Sequence, residues 1–279
     1  MGRHAGGWDP ALYVGSAPFY ARGRLPYPPE TADALRHELG LDGTGRLLDV
    51  GCGPGSLTLL LAPLFAEAVG VDPHPGMIVE AEREAARRGV ANVRWVEMPA
   101  EALPGNLGTF RVVTFAQSFH WLDREAVAST VRAMLAPGGH WVHVSATTHQ
   151  GVEGDAGVGL PTPPREEIRE LVREYLGPGR RVGSRVLPEG APSPSGEEEV
   201  MLAAGYSGPR RIEVAGHVHE RSEDDVVASV FSLSWAAPHH FGHRVDRFER
   251  ELRQLLRMVS PTGRFAERAR AIELAIWSP

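Results

Sequence analysis

Chemistry is densest in the stretch Leu47-Leu48-Asp49-Val50-Gly51-Cys52-Gly53-Pro54-Gly55-Ser56, where an apolar run enters a glycine loop that opens a helical pattern. Glycine has no Cβ, so such a loop turns sharply and brings bare N–H groups up to a nucleotide-like ligand at the carboxyl end of a strand. Spacing then separates cofactors. A dinucleotide fingerprint asks for Gly-x-Gly-x-x-Gly, but the sixth position here is Ser56 and the third glycine comes one residue early, at Gly55, which disfavours a nicotinamide cofactor. Asp72 closes the run Val69-Gly70-Val71-Asp72, 17 residues past Gly55, and places a carboxylate where the ribose hydroxyls of an adenosine would lie. His120, in Gln117-Ser118-Phe119-His120-Trp121, is a candidate general base, since an imidazole titrating near neutrality can take a proton from an attacking hydroxyl. A histidine that only packs over the cofactor is the alternative. Cys52 reads as a small loop residue. His217 and His219, and the group His239, His240 and His243, lack a convincing ligand set, so no metal is expected. Trp235 reads as packing, and Glu197-Glu198-Glu199 as a solvated helix start.

The elements that must carry these residues alternate. Short β-branched runs read as strands at Arg46–Val50, Ala68–Asp72, Val93–Glu97, Phe110–Ala116 and Trp141–Ala146, with helices at Ser56–Leu64, Pro75–Arg88 and Arg124–Leu135 between them. Such alternation, with right-handed crossovers, is an α/β doubly wound sheet. Beyond residue 148 the pattern breaks into Gly- and Pro-rich stretches around an amphipathic helix, Arg165–Leu176. A strand at Arg210–Glu220 follows, then a helix at Asp224–Ser234. Residues 244–259 put Val245, Phe248, Leu252, Leu255, Leu256 and Val259 on one helical face, before a last strand at Ala271–Trp277. The expected organisation is an arm and helix over 1–45, a cofactor-binding core over 46–148, a lid insertion over 149–209, and a 210–279 segment completing sheet and pocket.

Composition narrows the classes. With 279 residues, 42% apolar, the chain can bury a core as one domain with a lid. All 29 basic residues are arginine, which excludes a Walker lysine or a Schiff-base lysine. Residues 1–150 carry 12 arginines against 15 acids and residues 151–279 carry 17 against 20, so neither half is basic enough to suggest a nucleic-acid partner. No apolar run approaches the roughly 18 residues of a membrane span, and a single cysteine fits a reducing compartment. The expectation is a cytoplasmic protein, monomer or homodimer, acting on a small molecule without nucleic acid or membrane.

These residues resemble the class I S-adenosylmethionine-dependent methyltransferases of the small-molecule type common in bacterial secondary metabolism. The resemblance rests on Asp49–Gly55, on Val71-Asp72, on Pro99-Ala100-Glu101-Ala102-Leu103-Pro104 and on Phe115–Trp121. It implies a seven-stranded, mostly parallel Rossmann-like sheet with a helical lid. It also implies that Gly51, Cys52, Gly53 and Gly55, with Asp49 beside them, hold the methionine part of the cofactor, Asp72 and Pro73 its ribose, and Ala100, Glu101 and Met77 its adenine. Tyr20 and Arg24, in a segment that some relatives fold over the cofactor, would hold the carboxylate. Where the family often has Asn or Asp, this chain has Ala116, so only backbone contact carries over there and at Gln117. The absence of an Asn/Asp-Pro-Pro-Tyr motif argues against amino-methylating types. The implied reaction is in-line methyl transfer to oxygen, nitrogen or carbon of a small metabolite, releasing S-adenosylhomocysteine. A non-methylating cofactor-binding protein, sensor or cyclase-like, and a macromolecule methyltransferase remain as alternatives.

Overall fold

A computed structural model describes residues 13–152, 154, 156–178, 180–182, 185–187 and 196–279. Its helices are α1 (Ala17–Gly23), α2 (Glu30–Leu39), α3 (Ser56–Leu61), α4 (Pro75–Arg88), α5 (Arg124–Met134), α6 (Arg165–Leu176), α7 (Glu197–Ala203), α8 (Glu223–Phe231), α9 (Pro238–Phe241) and α10 (Val245–Val259). Its strands are β1 (Arg46–Val50), β2 (Glu67–Asp72), β3 (Val93–Glu97), β4 (Phe110–Ala116), β5 (Leu135–Ser145), β6 (Arg180–Val182), β7 (Arg185–Leu187), β8 (Ser207–Val214), β9 (Val218–Ser222), β10 (Arg264–Arg268) and β11 (Ile272–Ser278).

Among the described residues seven strands form one sheet in the order β3-β2-β1-β4-β5-β11-β8. β3 through β5 run parallel, and β11 runs antiparallel to both its neighbours. The strand order reverses between β1 and β4, which opens a crevice at their carboxyl ends. Successive strand residues face opposite sides, so Leu47 packs with Leu35 and Leu39 of α2 and Leu57 and Leu61 of α3, while Leu48 packs with Val127 and Val131 of α5 and Met201 of α7. Burial on both faces is why these strands read as continuous apolar runs rather than alternating ones.

A third core lies apart from the sheet. Ile168 and Val172 of α6, Val226, Val227, Val230 and Phe231 of α8, Phe241 of α9, Phe248, Leu252 and Leu256 of α10 and Phe265 of β10 pack on one another, forming a cover. Full burial of each such side chain contributes roughly 1.5–3 kcal/mol. Ser222 and Asp225 start α8 with reciprocal caps: the Ser222 hydroxyl accepts the Asp225 N–H and the Asp225 carboxylate accepts the Ser222 N–H. Arginines lace the cover together. Arg253 reaches Glu223 at 2.9 Å and Asp224 at 2.6 Å, Arg257 reaches Glu223 at 2.8 Å, and Arg22 of α1 reaches Asp225 at 2.7 Å. Beneath them Glu267 is buried between Arg165 (2.7 Å) and Arg221 (3.3 Å), and Arg221 also donates to the Gly23 carbonyl.

The expected strand Arg210–Glu220 is in fact two, β8 in the main sheet and β9 paired with β10. Between them Gly216 sits so close to the Ala269 carbonyl that a Cβ would be 2.1 Å from it, and the chain leaves one sheet for the other there. β5 starts six residues earlier than the expected strand at Trp141, the expected last turn of α3 is a 3-10 turn, and Val259 is 39% exposed rather than part of the α10 seam. The cover also departs from the expected 149–209 insertion, because α6 packs on residues 223–265. Residues 188–195 of that insertion and residues 1–12 of the arm lie outside the described residues.

Candidate active site

The crevice holds a cavity of about 490 Å³. The glycine loop forms its floor. Gly51, Gly53 and Gly55 have φ of 69°, 54° and 76°, in the left-handed region that glycine enters without a Cβ penalty. A Cβ at Gly51 would lie 2.5 Å from that of Ser118, whose hydroxyl donates to the Val50 carbonyl at 2.6 Å. The loop after β4 is thereby pressed onto the loop after β1. Gln117 in that second loop also has a positive φ, 58°, which an L-residue adopts at a cost and which points to a local constraint.

Two carboxylates fix the loop from beneath. Asp49 is buried and accepts hydrogen bonds from the hydroxyls of Thr58 (2.5 Å) and Thr114 (2.8 Å). Burial raises its pKa to about 6, against the lowering effect of both threonines. Asp72 accepts the Gly53 N–H on one oxygen and the His74 N–H on the other, both at 2.9 Å, and burial raises it as well. Each Asp72 oxygen keeps lone-pair capacity for a ligand hydroxyl.

A narrower continuation of about 100 Å³ is lined by Asp72, Pro73, Met77, Ala100, Glu101 and Leu122. Glu101 accepts the Asp123 N–H at 3.2 Å, which holds it beside the start of α5. Tyr20, Gly51, Gly53, Ala116, Gln117 and Trp121 line both spaces, so they are one crevice. Above it Arg24 lies 4.3 Å from the Tyr20 ring centroid and donates to the Ser232 carbonyl, while its Nε is buried with no hydrogen-bond partner among the described residues.

The structure therefore gathers around one crevice Tyr20, Arg24, Asp49, Gly51, Cys52, Gly53, Asp72, Pro73, Met77, Ala100, Glu101, Ala116, Gln117 and His120. Gly55 lines neither space. It is packed against Trp95, whose ring a Cβ there would meet at 2.4 Å. Burial pushes the Cys52 thiol well above its ordinary value, so it stays protonated. His120 packs on Trp121 at the far rim, with ring centroids 4.8 Å apart. Tyr27, Thr147, Thr148 and Leu233, which the sequence did not single out, also line the cavity, as does Trp235, read there as packing. Only tertiary contacts bring these to the crevice; the Leu25 N–H donates to the Thr148 carbonyl at 2.6 Å, for instance. Among the described residues no group of three or more His, Cys, Asp or Glu could hold a metal. His217 instead approaches Glu30 at 3.3 Å, and His239 meets the Val14 carbonyl.

A family model described as a methyltransferase domain matches residues 47–139. The chain is 34% identical over 179 residues to a demethylmenaquinone methyltransferase of Thermus thermophilus, covering 58% of this chain and 74% of that protein. It is 36% identical over 132 residues to an uncharacterized methyltransferase of Mycobacterium bovis, covering 47% of this chain and 51% of that one, so it spans about half that relative's length. A candidate type II methyltransferase from Anaeromyxobacter dehalogenans shares the fold at a TM-score of 0.51 and 20% identity, over 91% of this chain and 95% of that one. The chain belongs to the class I S-adenosylmethionine-dependent methyltransferases.

The residues fit that cofactor. The Arg24 Nε, unpartnered among the described residues, is a buried donor suited to a carboxylate, the glycine cradle leaves room for a close approach, and Asp72 retains acceptors for a ribose.

Proposed function

We propose that the protein transfers a methyl group from S-adenosylmethionine to an oxygen, nitrogen or carbon atom of a small metabolite. The observation that carries this reading is the size and reach of the crevice. At about 490 Å³ it falls within the range of small-molecule sites, and it runs from Arg24 and the glycine loop to His120, Trp121 and Trp235 under the cover. When bound, the cofactor supplies a methyl group already activated as a sulfonium substituent.

The protein's part is then largely positioning. Arg24 binds the carboxylate, Asp72 accepts from the ribose, and Met77 and Ala100 pack against the adenine. Holding the acceptor in line with the methyl contributes on the order of 7–11 kcal/mol. The cover excludes water, and His120 takes the proton when the acceptor is a hydroxyl. The net charge of −6 and the absence of a basic half favour a small-molecule acceptor over a nucleic acid.

Titration calorimetry with S-adenosylhomocysteine tests the binding half of this reading, and mass spectrometry of a metabolite panel incubated with trideuteromethyl cofactor tests the transfer. Saturable binding and a labelled small-molecule product are expected. Absence of binding by either form of the cofactor would sink the reading.

A further inference from the structure

The described tryptophans are spent in different ways. Trp141 stacks on Phe115 with ring centroids 4.0 Å apart, Trp277 is buried in the core, and Trp95 packs against Gly55 and Gly70, where an added Cβ would meet its ring. Trp121 and Trp235 instead line the crevice, and both are only half-buried. Trp121 also lines the narrower space that holds Met77 and Ala100, so it marks the cofactor side. Trp235 does not. It borders a further space of about 360 Å³ between α6 and α8, and so marks the opposite, acceptor side. Leu233 and Trp235 rest on the edge of the cover's core, but among the described residues the Trp235 indole makes no ring contact and no hydrogen bond. An indole open to a concave site and lacking a ring neighbour offers its face to a ligand ring.

The charge of the crevice narrows the occupant. Histidines aside, the charged residues of its described lining are Arg24, Asp49 and Arg88. Arg24 lies at the carboxylate end and donates to the Ser232 carbonyl, Asp49 is turned beneath the glycine loop to Thr58 and Thr114, and Arg88 pairs with Glu84 at 3.2 Å. Arg88 also lies thirteen residues along α4 from Pro75, which at 1.5 Å per residue is about 20 Å from the strand end that carries Asp72. What remains beside Trp235 is Thr147, Thr148, Leu233 and Ser234, all uncharged. An ammonium group would find no carboxylate there and an anion no guanidinium, and a charge taken out of water without a partner weakens binding.

We propose that the methyl acceptor presents an uncharged aromatic ring that stacks on the Trp235 indole. The proposal rests on the methyl-transfer reading and adds the acceptor's chemical class.

Calorimetry with 1-naphthol, decahydro-1-naphthol, 1-naphthoate and 1-naphthylmethylammonium, each in the presence of S-adenosylhomocysteine, tests it. The naphthol should bind about fivefold tighter than its saturated counterpart, as expected for one ring-on-ring contact, and tighter than either charged probe. Trp235→Leu should bring naphthol and decahydronaphthol to parity, whereas Trp235→Phe, which keeps a ring, should retain the preference. Affinity for S-adenosylhomocysteine should be unchanged in both variants, which shows that they are folded. Parity or reversal of the two alcohols in the parent, tighter binding of a charged probe, no binding of any probe, or a naphthol preference that survives Trp235→Leu each overturns the proposal. So does loss of S-adenosylhomocysteine affinity in Trp235→Leu, which would make Trp235 part of the cofactor site or of the packing. Failure of S-adenosylhomocysteine to bind the parent instead overturns the methyl-transfer reading.

Discussion

Asp72 holds the glycine loop as well as facing the ligand space, since its two oxygens accept from Gly53 and His74. Asp72→Ala should therefore weaken S-adenosylhomocysteine binding by more than the ribose contact alone; at roughly 1.5–3 kcal/mol per charge-assisted bond, a loss of about 100-fold or greater is expected by calorimetry. Parent-like affinity would remove Asp72 from the site. For His120, removal of a general base should lower saturated turnover by about 10²- to 10⁴-fold and leave cofactor affinity alone, and His120→Gln should not rescue it. Weakened cofactor binding with normal saturated turnover would make it an orienting residue. Asp49 and His143 give a stability test. The Asp49 carboxyl is raised to about 6, so its contribution is present below its unfolded pKa near 4 and is lost as pH rises toward 6. His143, buried and lowered to about 3, works the other way and loses stability as pH falls from its unfolded value near 6.5. Between pH 4 and 6 the two slopes, each about 1.4 kcal/mol per pH unit, nearly cancel. Thermal melts should show stability rising with pH in Asp49→Asn and falling with pH in His143→Phe. Matching slopes in parent and variants would contradict the assignment. Asp49, Gly51, Gly53 and Asp72 were legible in the sequence because their spacing is local. The environment of Asp49 was not, because Thr114 comes from a strand that only folding brings beside it.

Among elements, α1 was the least legible. It is seven residues long, sits among glycines and prolines, and carries no strong apolar stripe, so the sequence showed a covering segment but no helix. The fold explains it through Gly23, where α1 crosses α8 so closely that a Cβ would stand 2.4 Å from the Ala228 carbonyl. Backbone cannot yield as a flexible side chain would, so Gly23→Ala must separate the two helices. Because Tyr20 and Arg24 ride on or beside α1, the expected result is a lower melting temperature together with weaker S-adenosylhomocysteine binding, read by calorimetry on the same sample. A melting temperature and affinity equal to the parent's would show that the crossing tolerates a methyl group. The mistaken single strand at Arg210–Glu220 has a related cause. Period-two alternation runs on through Gly216, and only the approach of Ala269 tells the chain to change sheets.

For the whole molecule, the parallel sheet was legible because each βαβ unit closes within some 30 residues. The cover was not, because its core joins α6 to residues 223–265 across β6, β7, α7, β8 and β9 and no local period links them. Among the described residues no helix is long and apolar enough to cross a membrane. The ion pairs that lace the cover have a consequence in alkali. Arginine stays charged far into the alkaline range, and Arg22, Arg253 and Arg257 are raised further by their carboxylate partners, so their pairs survive conditions that would discharge an ammonium. The phenols of Tyr27, half-buried at the crevice, and of Tyr206, buried in the core, fail first. Burial raises both above their ordinary value of 10, so the stability they contribute is present below pH 10 and drains away as pH climbs beyond it. Circular dichroism over an alkaline titration should accordingly find the unfolding midpoint displaced upward in the variant carrying Tyr27→Phe and Tyr206→Phe, and an unmoved midpoint would assign the failure to the arginine lacing instead. The expected alkaline limit of the molecule is therefore a matter of phenolic protons, with the arginine pairs outlasting them.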